Sequence, residues 1–133
     1  MGSSFMYATA RDWARFGLLY LQDGVWDAQR IFPEGWVEYT RVPAPADPRR
    51  HYGAHFWLDV PDEYRGTGGR LPDDAFHAAG HDGQFLTIIP SRKLVVVRLG
   101  LTRYPGAWDH HAFLSRVLDA VPALEQEPTR SGG

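Results

Sequence analysis

Three strand-like runs follow one another in the second half of the chain: Phe76–Gly80, Gln84–Ile89 and Leu94–Leu99. Only His81-Asp82-Gly83 and Pro90-Ser91-Arg92-Lys93 separate them. Connections this short suit antiparallel neighbours, so the runs read as a three-stranded meander. Leu94–Leu99 shows no polar alternation until Arg98. A strand apolar on both faces is usually a central one between helices, and that is the expectation here.

Helical signals flank the meander. Thr9-Ala10-Arg11-Asp12 resembles a capping box, with an acidic residue three places after the N-cap. It predicts a helix from Ala10 to about Leu21, with Ala10, Trp13, Ala14, Gly17, Leu18 and Leu21 on one face. Phe16, Leu19 and Tyr20 widen that stripe. Asp23-Gly24 ends the helix, because glycine accepts the positive φ favoured there. Val25–Ile31 reads as an irregular or hairpin passage. Pro33 suits the first turn of a second helix, Glu34 to about Arg41, which should place Trp36, Val37, Tyr39 and Thr40 near the core. The prolines of Val42–Pro48 make a loop.

Tyr52–Leu58 is aromatic and strand-like. Asp59–Asp74, with Gly66, Gly68, Gly69 and Pro72, is a loop long enough to overhang a cleft. Trp108-Asp109 opens a last helix, whose apolar face is Ala112, Phe113, Leu114, Val117, Leu118 and Val121. His110 and His111 are expected at its surface. Residues 1–123 then form one α/β (α+β) unit: a helical segment 1–50, and a sheet with its packed helix over 51–123. Residues 124–133 are expected to be a flexible tail.

Composition removes several function classes. With no cysteine, disulfides, thiolate metal sites and cysteine nucleophiles are excluded. A net charge of −2 gives no general attraction to nucleic acid or anionic membrane. No apolar run approaches the ~20 residues of a membrane span. His77 and His81, four residues apart, would stand about 13 Å apart on a strand, too far to share a metal ion. No metal or other cofactor is expected. The sequence assigns no compartment.

Four segments, in order, carry a resemblance. They are Tyr7–Gly17, Ile31–Trp36, Gly80-His81-Asp82-Gly83-Gln84 and Pro90–Gly100. Together they are similar to the C-terminal portion of the β-lactamase-related serine hydrolases, a superfamily shared with the penicillin-binding proteins. The 6-aminohexanoate-dimer hydrolase-like members match best. The resemblance implies an antiparallel sheet with a packed C-terminal helix, and acyl transfer from an ester, amide or lactam substrate to a serine. His81, Asp82 and Gly83 would then stand where the family has its third, Lys-Thr-Gly-type motif. His81 would face the cleft as a hydrogen-bond donor, and Gly83 would keep the strand bare for substrate. The backbone N–H of Gln84 would be one donor of an oxyanion hole.

The family's other two motifs have no match. None of Ser3, Ser4, Ser91, Ser115 or Ser131 is followed three places later by lysine, and the chain contains no asparagine. The resemblance therefore implies a C-terminal piece of a longer enzyme, inactive alone and able to self-associate through an exposed sheet edge. A stand-alone, non-catalytic α+β binding module remains the alternative.

Overall fold

Thr9 begins the first helix as its spacing requires. Its hydroxyl accepts from the Asp12 N–H at 3.1 Å and donates to the Asp12 carboxylate at 2.7 Å. A computed structural model describes residues 5–104 and 106–121, and in it this helix, α1, spans Ala10–Leu21. The expected tail, 124–133, lies outside the described residues. Gly17 and Tyr20 are the buried positions of α1. The inward stripe is thus rotated towards Phe16–Gly17–Tyr20, and Ala10 is exposed. Gly17 explains the rotation. A Cβ there would lie 2.6 Å from Val95 Cγ1 and 2.8 Å from Leu86 Cδ1, so the bare backbone is what touches the sheet.

A two-residue turn, Asp27 (φ 47°) and Ala28 (φ 61°), joins β1 (Val25–Trp26) to β2 (Gln29–Arg30) as a minimal hairpin. The second helix is shorter than its sequence suggests. α2 covers Trp36–Thr40, because Gly35 sits before it in the left-handed region at φ 79°. Helical geometry cannot begin upstream of such a residue. Val37 and Thr40 are buried as expected, whereas Trp36 and Tyr39 are 40% and 59% exposed.

Tyr52–Leu58 is not a strand. His55 adopts φ 67°, which folds the segment back so that Tyr52 bridges Trp57. Only Trp57 reaches the sheet, exchanging both backbone hydrogen bonds with His77 at 2.7 and 2.8 Å.

The meander forms as read. β3 (Phe76–Gly80), β4 (Gln84–Ile89) and β5 (Leu94–Arg98) make an antiparallel sheet in the order β3-β4-β5. Lys93, at φ 48°, closes the second turn. β4 is the central strand, so the expectation for β5 needs correction. β5 is apolar because helices cover both its faces, yet among the described residues only β4 pairs with it.

The sheet separates two cores. Phe76, Ile88, Tyr20, Phe56 and Val37 pack on the α1 face. Ile89, Val60, Leu71, Ala75, Leu114 and Leu118 pack on the face of α3, which spans His110–Ala120. Asp109 caps α3, accepting from the Ala112 N–H at 2.8 Å. His110 is fully buried, contrary to its expected place at the surface. No helix among the described residues is long and apolar enough to cross a membrane.

Candidate functional site

His81–Gly83 forms a tight turn between β3 and β4. Asp82 (φ 57°) and Gly83 (φ 76°) both lie in the left-handed region, which glycine adopts freely and Asp more readily than most residues. Gly83 is also required for space, since a Cβ would meet Arg98 Nη1 at 2.5 Å and Thr102 Oγ1 at 3.2 Å. The His81 side chain is 96% exposed, its Nε2 3.3 Å from Asp82 Oδ1. Asp82 is half-buried, and its carbonyl accepts from the Thr102 N–H at 2.9 Å. Gln84 opens β4 opposite Gly80.

Three side chains brace this corner, in roles the sequence reading did not assign. Arg98 donates to the Gly83 carbonyl and, at 2.8 Å, to Thr102 Oγ1. Its guanidinium lies 4.0 Å over the Trp108 ring, a cation–π contact. Burial pulls the Arg98 pKa below its ordinary value. The Gln84 amide donates to the Gly100 carbonyl and accepts from the Gly100 N–H at 2.9 Å, extending the β4–β5 ladder with a side chain.

The phase of the ladder decides which amides this end of the sheet presents. His77 turns its N–H and C=O outward to Trp57. Alternation along β3 then turns Ala79 outward and Gly80 inward towards Gln84. The Gln84 N–H accordingly faces Gly80, inside the hairpin. Ala79 faces the open edge, where among the described residues no backbone partner meets it.

A buried polar chain runs across the α3 face of the sheet. An indole N–H can only donate, so Trp108 Nε1, 3.3 Å from His110 Nδ1, obliges that nitrogen to accept. The His110 proton is then on Nε2, which donates to Thr87 Oγ1 at 3.0 Å. Thr87 has one hydroxyl proton, and it goes to His77 Nδ1 at 2.9 Å. His77 is left protonated on Nε2. Both rings must be neutral for this order to hold. Burial drives His77 down to about 4, with Asp59 opposing. Burial, reinforced by His77 and Arg98, drives His110 down to about 3. One signal for this chain was available: His77, Thr87 and Arg98 are polar residues in otherwise apolar runs, and strand alternation with the observed pairing puts all three on one face.

The Asp59–Asp74 loop does overhang a cavity. Its volume is about 520 Å³, and its walls include Asp59, Arg65, Leu71, Ala75, His77 and His111. A second cavity of about 310 Å³ lies by Arg49, His51 and Trp57. Neither is lined by His81, Asp82, Gly83 or Gln84. Among the described residues, no three His, Asp or Glu side chains gather as a metal site would require.

No family model matches the chain. An uncharacterized protein of Alkalihalophilus pseudofirmus is 29% identical over 98 residues, covering 70% of this chain and 29% of its own length. Among solved structures, a Bacillus anthracis protein provisionally named a 6-aminohexanoate-dimer hydrolase superposes with a TM-score of 0.62. The two are 25% identical, over 86% of this chain and 28% of that one. The fold is hydrolase-like. The chain spans less than a third of either relative's length.

Proposed function

We propose that the chain forms one wall of the active site of a serine hydrolase that cleaves an ester, amide or β-lactam through an acyl-enzyme. The observation carrying this reading is the braced corner at the end of a hydrolase-like sheet. Arg98, Thr102 and Gln84 hold the turn rigid while His81 stands free in solvent. Substrate would lie along the open edge of β3, with the exposed His81 donating a hydrogen bond to it. The oxyanion donor expected at Gln84 would have to leave the hairpin ladder to act. The outward backbone of Ala79 is the donor this edge offers instead. In the reaction a serine oxygen adds to the carbonyl carbon, the bond to the alcohol or amine breaks as that group takes a proton, and water then releases the acyl group.

The nucleophile is assigned to a Ser-x-x-Lys segment outside these 133 residues, which makes the isolated chain inactive. Two polypeptides test the assignment: the 133-residue chain, and the same chain with whatever in-frame coding sequence precedes Met1. A fluorophosphonate probe is expected to label only the longer one, at a Ser-x-x-Lys serine. His81→Ala in that polypeptide should lower kcat/KM on the order of 10²-fold, as loss of a hydrogen-bond donor to the transition state does. Labelling of the short chain at its own serines rejects the reading. So does a chain that folds as a stable monomer with no coding sequence before it, the outcome expected of a binding module.

A further inference from the structure

We infer that the cavity beneath the Asp59–Asp74 loop is a binding site for a small neutral carbonyl compound, a short aliphatic amide or ester, held by the Nε2–H of His77. The site is separate from the corner, since His77 and His81 are about 13 Å apart along β3 at the usual strand rise.

Polarity comes first. His77 is 1% exposed, and its Nδ1 is committed to Thr87 inside the sheet. His77 lines the cavity, and its Nε2 makes no hydrogen bond to protein among the described residues. The Trp108–His110–Thr87 chain fixes that nitrogen as a donor. It therefore asks for an oxygen acceptor, which a guest in the cavity can supply.

Charge comes next. The two guanidiniums in the wall are matched, Arg65 by Asp59 and Arg70 by Asp73 at 2.8 Å. Neither a free cation for a carboxylate nor a free carboxylate for an amine remains among these four. A neutral ligand fits without breaking a pair.

Shape completes the argument. Leu58, Leu71, Pro72 and Ala75 give apolar lining beside the donor. A volume of about 520 Å³ falls within the usual range for small-molecule pockets. The roof is built by glycines crossing α3. A Cβ on Gly68 would lie 2.7 Å from Ala112 N and 3.0 Å from His111 Nδ1. His111 lines the same wall, with its Nδ1 sealed beneath the loop without a partner.

The test uses pentanamide, pentanoate and pentylamine, titrated into the 133-residue chain and followed by NMR of the imidazole N–H protons and the Leu71 methyls. Pentanamide is expected to bind and shift the His77 Nε2–H resonance. The charged analogues should bind at least about 10-fold more weakly, the difference of about 1.4 kcal/mol that desolvating an unpaired charge readily exceeds. His77→Phe should abolish binding. If that variant fails to fold, Leu71→Trp fills the cavity from the loop and leaves the polar chain intact, and binding should be lost there too. Tighter binding of pentanoate or pentylamine, no shift at His77, or pentanamide binding that survives a folded His77→Phe or Leu71→Trp would each overturn the inference. Failure would leave the hydrolase reading untouched, because no step of it passes through this cavity.

Discussion

His77, Thr87 and His110 occupy the most restrictive positions in the molecule. Each is at most 1% exposed and each depends on the proton order set by Trp108. The unfolded chain takes protons on both histidines near pH 6.5, whereas the folded chain resists until about 4 at His77 and about 3 at His110. Between these limits the unfolded state binds more protons, so acid favours unfolding. Stability is expected to be full above pH 6.5 and to fall steadily as the pH drops towards 4. Each histidine contributes a slope of up to about 1.4 kcal/mol per pH unit. Urea midpoints at pH 7.5, 6 and 5 measure it, and a flat profile would refute the neutral, buried assignment. Thr87→Val keeps the shape but removes the link. It should cost about 1–3 kcal/mol, because His110 Nε2–H loses its acceptor and His77 Nδ1 its donor.

At the scale of elements, α1 shows how a single glycine sets a helix on a sheet. Glycine in a helix is normally unfavourable by about 1 kcal/mol relative to alanine. Gly17→Ala would bring that gain, but its methyl would press on Val95 and Leu86 at 2.6 and 2.8 Å. Overpacking of this kind costs about 1–3 kcal/mol, and Val95 is too stiff at χ1 to turn aside. Gly17→Ala is therefore expected to lower stability by about 1 kcal/mol, read from chemical denaturation. A rise would show that α1 rides less tightly on the sheet. The elements set by local signals appear where the pattern puts them: α1 from its cap at Thr9, the turn at Lys93, and α3 from its cap at Asp109. Two others depart from their pattern. Tyr52–Leu58 has the aromatic content of a strand, yet His55 reverses it. α2 has helical spacing from Glu34, yet Gly35 delays its start.

At the scale of the whole molecule, one chain of contacts joins the His81–Gly83 corner to the cavity under the Asp59–Asp74 loop. From the Gly83 carbonyl the contacts run through Arg98, the Trp108 ring, His110 and Thr87 to His77 and the cavity. The same view exposes an edge. β5 pairs only with β4 among the described residues, and beyond it Leu99 and Leu101 are 51% and 66% exposed. An unpaired strand beside exposed leucines is a template for another chain. Concentration-dependent association is expected in sedimentation velocity, and Leu101→Lys should reduce it without lowering the unfolding midpoint. Association unchanged by that substitution would place the contact elsewhere.

Acting alone, the sequence determined what depends on a few neighbouring residues. The caps, the two turns of the meander and the alternation that builds the sheet are local, because a backbone angle or a capping bond is decided within about four positions. The tertiary structure decided what depends on distant partners. Thr87 meets His77 ten residues away and His110 twenty-three away, and only that meeting buries both imidazoles. The edge position of β5 and the inward turn of the Gln84 amide follow from which strand pairs with which. No run of residues carries that information, since one strand reads the same whether a neighbour lies on one side or both.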